Sequence, residues 1–445
     1  MSDIYDVVIV GAGFTGLVAG LVLSKKGFRV QIIESTDSAG GLAGIFNFSD
    51  GVKVEKFYHH WFVNDLYVPE LIKELGMENN LLTLPTRTGM YLNGRIWKLS
   101  SPIDLLRFTP LSFFDRLRLG MLVLKVRNIK NWTSIEHLSI RDWLESICGR
   151  NVYRVVWEPL VNSKFSIYAD SVNAVWMWKK LILRGGTRND NGSEVLRYFK
   201  GGFGLLANAI VSEIEKAGGR VTLGQKVIKV NSCGSRVVSL HTKNEEIAGR
   251  QFLFTPAFPI IADLFEGVAK SDWLSELRRV RYLGNICLIL RLKHSLSKTY
   301  WLNVNDPGFP FVGVIEHTNF DLPESYKGSH IVYLSRYIAP VDPVWSYSDE
   351  QYIDYAWNYL NIMFPKVDRS WLIDYRVWRA EFAQPVTEIN YSKYVPGFET
   401  PFENAFISTM AQIYPEDRGT NYAIREGRSA AKKIESMFTK KKDNL

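Results

Sequence analysis

The segment that most constrains the fold is a glycine-rich turn near the amino terminus. Residues 5–10 form a short apolar run rich in Val and Ile, which is typical of a strand buried on both faces of a parallel sheet. Gly11, Gly13 and Gly16 follow directly and open a predicted helix that ends near Lys26. In this pattern the glycines permit a tight turn, approach of the backbone to a pyrophosphate, and close helix–strand packing. The pattern therefore predicts a dinucleotide-binding βαβ unit.

A carboxylate at the end of the next predicted strand fits the same unit. Residues 29–33 form that strand and lead into Glu34, where an acid is expected to bind a ribose hydroxyl. The amino terminus of the intervening helix offers free N–H groups to the phosphates. Because strand, helix, second strand and acid occur in order, we predict a nucleotide site rather than a purely structural glycine turn.

A glycine doublet then distinguishes flavin from nicotinamide. Gly40 and Gly41 follow Glu34 closely, and here the chain resembles the glutathione-reductase-type flavoproteins of the amine oxidase, protoporphyrinogen oxidase and phytoene desaturase group. In that group the backbone of this loop passes against the FAD pyrophosphate and flavin. The resemblance implies FAD with its adenosine ribose on Glu34. The alternative is a loop that simply needs positive φ.

Length and composition indicate a folded protein of two domains, and the flavoprotein resemblance implies a small-molecule substrate. The chain has 445 residues, of which 46% are apolar and 22% charged. Its three scattered cysteines indicate a reducing compartment and no metal site. The amino terminus is acidic and no apolar run is long enough to span a membrane, so we expect a cytoplasmic protein.

The net charge of +8 suggests an anionic ligand or contact with the inner face of a membrane, although a solvated basic surface is the default. No nucleic-acid motif accompanies the dispersed basic residues, so no nucleic-acid partner is expected. Between residues 102 and 132, apolar clusters alternate with basic residues. Such a segment can lie on a bilayer, but we favour an ordinary helical lid with its apolar face inward.

An unusual aromatic and histidine string follows the first domain segment. His59 and His60 are adjacent, so on a strand only one of them can face the site, and a metal pair is disfavoured. In UDP-galactopyranose mutase, another member of this flavoprotein superfamily, a histidine-containing segment at a similar place lies beside the flavin. The resemblance implies that His59 is the flavin-proximal, catalytic histidine. The alternative is a structural, hydrogen-bonded histidine.

Later segments resemble the same superfamily. Residues 313–320, GVIEHTNF, resemble a mutase strand that carries a Glu-His pair near the substrate, which makes Glu316 a candidate, together with Arg336 further on. A carboxy-terminal helix from about Asn421 is expected to point its amino terminus at the flavin. The usual Gly-Asp pair before its turn is replaced by residues 409–411, so the usual ribityl contact is in doubt.

The resemblance implies an α/β fold: a Rossmann FAD-binding domain plus an α+β substrate domain with a helical lid and an antiparallel sheet. The predicted FAD domain comprises residues 1–55, 198–255 and 401–445, and the substrate domain comprises residues 56–197 and 256–400. The predicted catalytic or substrate residues are His59, Glu316 and Arg336. The predicted cofactor contacts are Gly11, Gly13, Phe14, Thr15, Gly16, Glu34, Ser35, Gly40, Gly41, Leu42, Val227, Arg418, Gly419 and Tyr422.

Three functions follow from these resemblances. The leading one is an FAD-dependent oxidoreductase that moves hydride between flavin N5 and a bulky, largely apolar or conjugated, prenyl- or lipid-like substrate. The second is a sugar-nucleotide mutase in which reduced flavin is the nucleophile and basic residues hold the diphosphate. The third is a flavin-bearing binding protein without turnover. Fold analogy alone does not choose between them.

Overall fold

The computed structural model describes residues 4–98, 101–185 and 194–442. The helices are α1 (Phe14–Lys25), α2 (Tyr67–Glu74), α3 (Pro102–Leu106), α4 (Phe113–Arg127), α5 (Ile140–Cys148), α6 (Arg150–Val152), α7 (Glu158–Phe165), α8 (Ala174–Gly185), α9 (Phe203–Lys216), α10 (Phe258–Leu264), α11 (Ser271–Arg279), α12 (Asp349–Met363) and α13 (Thr420–Lys442). The strands are β1 (Tyr5–Val10), β2 (Val30–Ile33), β3 (Ile45–Asn47), β4 (Lys53–Glu55), β5 (Trp61–Phe62), β6 (Leu81–Thr86), β7 (Thr88–Leu92), β8 (Arg95–Trp97), β9 (Glu194–Phe199), β10 (Arg220–Thr222), β11 (Lys229–Cys233), β12 (Arg236–His241), β13 (Glu246–Phe254), β14 (Tyr282–Leu292), β15 (Trp301–Val304), β16 (Gly313–Glu316), β17 (His330–Ile338), β18 (Leu372–Pro385) and β19 (Ala405–Ile407).

A parallel sheet forms the first domain, as the glycine-rich segment predicts. Its strands lie in the order β10-β2-β1-β13, with β19 parallel to β13 on the far side and β12 and β11 continuing as an antiparallel extension. Ile9 of β1 pairs with Ile32 of β2 on one side and with Leu253 of β13 on the other. All three side chains are buried, because helices cover both faces of such a sheet. The α/β fold class is confirmed.

Helix α1 packs closely against β1 because of two glycines. Gly11 adopts a φ of +100°, which only glycine tolerates readily, and turns the chain from the strand into the helix. A Cβ on Gly16 would lie 2.0 Å from the Gly11 carbonyl oxygen, so no larger residue fits there. The outer side of α1 packs against α9 and α13. The strand end and the helix start are therefore held together at the edge where the nucleotide was predicted.

A second sheet, mainly antiparallel, forms the base of the other domain. Its strands lie in the order β18-β14-β17-β16-β15-β7-β8, and only β15 and β7 pair in parallel. Helices α4–α8 pack on one part of it through a core that includes Leu283, Val312 and Tyr337. Helix α12 packs on the opposite face, against Ile286 and Leu288. The helical block and the antiparallel sheet thus form the substrate domain that the resemblance implied.

The helical segment from residue 102 differs from the expected inward-facing lid. On α4 the inward side chains include Leu122 and Val126, but Phe114 is 72% exposed and Leu124 is 64% exposed. Ile103 on neighbouring α3 is 60% exposed. The prediction of an inward apolar face was wrong, because the segment has two apolar stripes and only one of them packs on the helical block. In the described part of the chain, no helix combines the length and apolar character needed to cross a bilayer.

One stretch differs from the predicted division of the chain into two domains. Helices α10 and α11 lie in a stretch assigned to the substrate domain, yet Phe258 and Leu277 pack with Val8 and Phe252 of the parallel sheet. The polypeptide therefore leaves the first domain only at about residue 281. Val227, a predicted cofactor contact, lies in the loop before β11 at the sheet edge.

Candidate active site

A long cavity of about 1010 Å³ runs along the carboxyl edge of the parallel sheet toward the substrate domain. Predicted cofactor residues that line it are Gly11, Gly13, Phe14, Thr15, Glu34, Ser35, Gly40, Gly41, Leu42, Val227, Arg418 and Gly419. We call this space the cofactor cavity. Gly16 lies behind its wall, packed on the Gly11 carbonyl. Tyr422 lines a neighbouring cavity instead.

The glycine loops leave space of the kind that a pyrophosphate needs. A Cβ on Gly13 would meet no atom within 4 Å, since this position faces the cavity. Across the cradle, a Cβ on Gly41 would lie 3.3 Å from the Gly13 Cα, so the two glycine loops nearly touch. Helix α1 begins next to Gly13 without a side-chain cap, which leaves its first N–H groups for an anion. The cradle therefore fits a dinucleotide.

The part of the cavity beside this cradle suits a ribose and a base. The Glu34 carboxylate accepts a hydrogen bond from the Ala12 N–H at 2.8 Å and another from the Thr36 N–H at 2.9 Å. These bonds fix the carboxylate at the end of β2 and leave lone pairs for ribose hydroxyls. Beside it, Gln225 lines the cavity, and its buried Oε1 has no hydrogen-bond partner in the described structure. An amine donor on a bound ligand would satisfy this acceptor.

A second cavity of about 300 Å³ opens from the other end of the first. We call it the inner cavity. Its walls are largely aromatic and include Tyr58, Trp157, Trp176 and Trp301. The residues that line both cavities are Leu42, Phe57, His59, Arg418, Gly419 and Thr420. A molecule in the inner cavity would therefore lie directly against the end of a bound dinucleotide.

The amino terminus of α13 faces this junction. Gly419 and Thr420 line both cavities, and the Thr420 hydroxyl accepts a hydrogen bond from Trp61 Nε1 at 2.5 Å. Asn421 accepts from the Tyr67 N–H at 3.0 Å, which ties α13 to the start of α2. The positive end of the helix dipole therefore points at the junction, as predicted for the pyrimidine end of a flavin.

His59 lies at the junction in a neutral form. Its Nδ1 donates a hydrogen bond to the Phe57 carbonyl oxygen at 2.7 Å. Burial lowers the pKa of His59 to about 4, so Nε2 is an unprotonated acceptor at neutral pH. His60 also lines the inner cavity, contrary to the expectation that only one histidine could face the site. The argument from alternation was wrong because residues 58–60 are not in a strand.

Tyr337 connects two cations on the wall of the inner cavity. Arg418 donates a hydrogen bond from Nη2 to the Tyr337 hydroxyl at 2.9 Å, and Lys164 Nζ lies 3.5 Å from the centre of the Tyr337 ring. Burial opposes ionisation of Tyr337, but the charges of Lys164 and Arg418 outweigh it and lower the pKa of the hydroxyl to about 8. Burial also lowers the pKa of Lys164 to about 8. This wall is therefore electropositive at neutral pH.

Two predicted residues lie away from both cavities as the described residues line them. Arg336 lies on β17 between Ser335 and Tyr337, which both line the inner cavity, so its side chain points to the opposite face. There it bonds Asp342 at 3.0 Å. The Glu316 carboxylate accepts backbone N–H groups of residues 296 and 297 and holds that loop. Neither residue is carried into the function proposed below.

Several cavity residues had no distinctive sequence signal. Lys164 lies in the ordinary helical sequence of α7, and Lys180 and Arg184 lie on α8. Trp157 and Trp176 also lie in the wall of the inner cavity. No local motif marks this cluster, because it forms only when these helices pack against β17. Information on contacts between these distant segments would have been needed to predict it.

Comparison with known proteins agrees with this geometry. A family profile described as flavin-containing amine oxidoreductase matches residues 14–434. Amine oxidase [flavin-containing] B of Cavia porcellus is 25% identical over 277 residues, which cover 59% of this chain and 52% of that protein. Amine oxidase [flavin-containing] A of Equus caballus is 24% identical over 269 residues, covering 55% of this chain and 48% of that protein. The chain thus aligns with about half the length of these curated relatives.

Solved structures share the fold over nearly the whole chain. A proposed protoporphyrinogen oxidase from Exiguobacterium sp. 255-15 superposes with a TM-score of 0.76 at 14% identity, covering 98% of this chain and 100% of that one. Reduced UDP-galactopyranose mutase gives 0.72 at 15% identity, covering 97% and 94%. At such identities these likenesses establish the fold alone. The family match, however, covers most of the sequence: the chain belongs to the flavin-containing amine oxidoreductase family, and its dinucleotide cofactor is FAD.

Proposed function

We propose that the chain is an FAD-dependent oxidoreductase that moves hydride between flavin N5 and a bulky, largely apolar or conjugated substrate of prenyl- or lipid-like character. The observation that carries this proposal is the inner cavity, whose aromatic walls meet the cofactor cavity at His59, Arg418 and Thr420. Pockets of this kind, apolar with a few placed polar groups, are where small substrates bind.

The protein's own residues supply orientation and charge at the junction. Bound FAD provides the hydride-accepting chemistry. The aromatic walls exclude water, and neutral His59 presents Nε2 to a polar hydrogen on the ligand. Arg418 and the amino terminus of α13 place positive charge where negative charge would develop on the cofactor.

An anaerobic absorbance titration tests the redox proposal. The purified protein should show flavin bands that bleach when an oxidisable substrate of the proposed class, such as an unsaturated lipid, is added. NADPH serves as a separate arm, and bleaching by it would indicate a reductase. A yellow protein that neither a panel of such substrates nor NADPH bleaches would count against the oxidoreductase. A colourless protein that does not take up FAD would overturn the cofactor assignment.

A flavin-dependent sugar-nucleotide mutase is the second candidate. The excess of cationic side chains in the inner cavity favours it, since a diphosphate needs such partners. The test is incubation of dithionite-reduced protein with a UDP-hexopyranose. Formation of the furanose isomer without net oxidation would replace the oxidoreductase proposal, and absence of isomer would remove the mutase.

Helices α3 and α4 support contact with an anionic membrane surface as part of this function. Phe114 and Leu124 are largely exposed, and Arg107, Lys125 and Arg127 supply a basic rim that complements anionic lipid. Helix α4 also packs on α8, where Trp178 Nε1 donates to the Val126 carbonyl at 3.2 Å. Because α8 lines the inner cavity as well, a substrate dissolved in lipid would have a short route to it. Co-sedimentation with anionic liposomes tests this contact.

A further inference from the structure

Two cations in the inner cavity form no direct ion pair with a carboxylate in the described parts of the chain. Lys164 contacts the face of Tyr337, and Arg418 donates to the Tyr337 hydroxyl and, through Nε, to Gln384 Oε1 at 2.9 Å. In the described parts of the chain, no carboxylate lies within ion-pair distance of either group. Charges buried in a protein are normally paired, because removing them from water is costly. Asp417 and the Tyr337 hydroxyl interact electrostatically with both groups, so the polypeptide offsets their charges only in part.

Both carboxylates of the same cavity have other direct hydrogen-bond partners. Asp417 accepts hydrogen bonds from Lys180 Nζ at 2.5 Å and from Trp176 Nε1 at 3.1 Å. Asp65 accepts the Phe62 N–H at 2.9 Å, and burial raises its pKa to about 6. Leaving Arg184 aside, three cationic side chains (Lys164, Lys180 and Arg418) and two carboxylates line the described wall of the cavity, and both histidines are neutral. The cavity therefore carries an excess of positive charge.

The cofactor does not supply the missing charge to Lys164. Among the described lining residues, Lys164 belongs to the inner cavity and not to the cofactor cavity. The phosphates are expected at Gly13 and Gly41, which line the cofactor cavity but are not among the described residues that line the inner cavity. Arg418, by contrast, lies at the junction and can contact both the cofactor and a second ligand. Lys164 thus indicates a ligand of its own.

We infer that the inner cavity binds an oxyanion of the substrate, a carboxylate or a phosphate, through Lys164 and Arg418, with the hydroxyl group of Tyr337 as a further donor. This inference rests on the proposed function and narrows its substrate to molecules with an apolar or conjugated body and one anionic group. The aromatic walls hold the body, and the cationic wall fixes its orientation against the cofactor. Guanidinium and ammonium groups are the usual partners of such anions.

Equilibrium binding of unreactive probes to the oxidised FAD-loaded protein tests the inference. The probes are benzoate, phenyl phosphate and neutral benzamide, and the readouts are calorimetry and the shift of the flavin spectrum. Wild-type protein should bind at least one anion more tightly than benzamide. Lys164→Met should weaken that anion roughly tenfold or more, since a charge-assisted contact is lost. Preference for benzoate or for phenyl phosphate identifies which oxyanion the substrate carries.

Matched variants exclude trivial explanations. Lys179→Met removes a nearby charge that pairs with Glu416 outside the cavity lining, so it should leave anion affinity within about twofold. Lys164→Arg should retain most of the anion binding, because it keeps the charge. Three outcomes would each overturn the inference. They are equal anion affinity in wild type and Lys164→Met, equal losses of affinity in the Met variants of Lys164 and Lys179, and no preference of the wild type for an anion over benzamide.

The result is separable from the redox proposal, because binding of these probes requires no turnover. Anion binding that depends on Lys164, in a protein that no donor reduces, would support the subsite and contradict the oxidoreductase. Bleaching of the flavin by a substrate, together with probe binding that does not depend on the anion, would support the oxidoreductase and contradict the subsite. Flavin content is measured first in every variant. If Lys164→Met does not retain FAD, Lys164→Gln is compared with wild type instead. Loss of FAD in that variant as well would show that Lys164 has a structural role and would overturn the inference.

Discussion

The two cavities meet at one junction, but backbone atoms form the key contacts of one and side chains form those of the other. The cofactor cavity presents backbone at its glycine cradle, where Gly13 and Gly41 approach each other and helix α1 begins. The inner cavity is shaped by side chains from α7, α8, β17 and the loop before α13. The first therefore accepts a ligand common to many proteins, whereas the second can change its ligand by exchanging single side chains.

Their electrostatics differ in the same way. In the cofactor cavity, the phosphates are expected to meet the dipole and N–H groups of α1, and Glu34 is a fixed acceptor beside the start of that helix. In the inner cavity, Lys164 and Arg418 are charged side chains that form no direct ion pair with a carboxylate in the described structure. Backbone donors are insensitive to pH, but side-chain cations are not. The two regions should therefore respond differently to mutation and to pH.

The largest expected effect is the loss of FAD when the backbone cradle is filled. Gly13→Val places a side chain in space that no protein atom occupies within 4 Å, so the fold should persist while the pyrophosphate is blocked. We expect an FAD affinity lower by about 3 kcal/mol, or roughly a hundredfold. Gly397→Val is the control, because Gly397 is equally open but lies outside the cofactor cavity. Flavin content after purification measures both variants, and a yellow Gly13→Val protein would contradict the assignment.

This contrast also explains what the sequence could and could not predict. Gly11, Gly13, Glu34 and Gly41 lie within one local segment, and local spacing encodes a backbone cradle directly. Lys164 reaches the cavity only because α7 packs on β17, a contact between segments far apart in the chain. No local pattern marks such a residue.

The two wrong predictions near the substrate have similar causes. Arg336 was chosen from a promising strand, but its neighbour Tyr337 faces the cavity, and an error of one residue on a strand reverses the face. The apolar face of the lid was expected to point inward, but the sequence does not show which apolar stripe packs against the rest of the protein. Leu122 is buried in such packing, whereas Phe114 is exposed. Tertiary packing decides both questions.

The next effect is a pH dependence confined to the inner cavity. Burial lowers the pKa of Lys164 to about 8, and neighbouring cations lower the pKa of Tyr337 to about 8. Both groups are in their anion-binding forms below that pH, and both lose a positive charge or gain a negative one above it. Benzoate affinity should thus be nearly constant around pH 7, where the Asp65 carboxyl with its pKa of about 6 is already ionised, and fall more steeply than about tenfold per unit above pH 8, because two protons are lost.

The control for this profile is Lys164→Met, which lacks one of the two titrating groups and should show a shallower decline. FAD affinity should change far less over the same range, because backbone N–H groups do not titrate. Calorimetry at a series of pH values measures both ligands. A benzoate affinity that is level through pH 9 would contradict the assignment of these two groups to the anion.

A smaller effect is expected at the exposed apolar stripe. Phe114→Glu combined with Leu124→Glu should reduce co-sedimentation with anionic liposomes by at least about fivefold, since apolar contact and charge attraction are both lost. Ile362→Glu on α12 is the control, because Ile362 is 60% exposed and lies on the opposite side of the antiparallel sheet. Equal pelleting of wild type, double variant and control would remove the membrane contact while leaving the flavin site untouched.

The smallest effect compares the two faces of β17. Arg336 lies on the face that bonds Asp342 and Tyr355, away from the inner cavity, whereas Tyr337 lies on the cavity face. Arg336→Met should therefore cost only about 1 kcal/mol of unfolding free energy, as expected for a partly exposed ion pair, and leave benzoate affinity unchanged. Tyr337→Phe should instead alter benzoate affinity with little change in stability. Thermal unfolding and calorimetry on the two variants separate these outcomes, and a loss of benzoate binding in Arg336→Met would mean that the cationic site extends through the sheet.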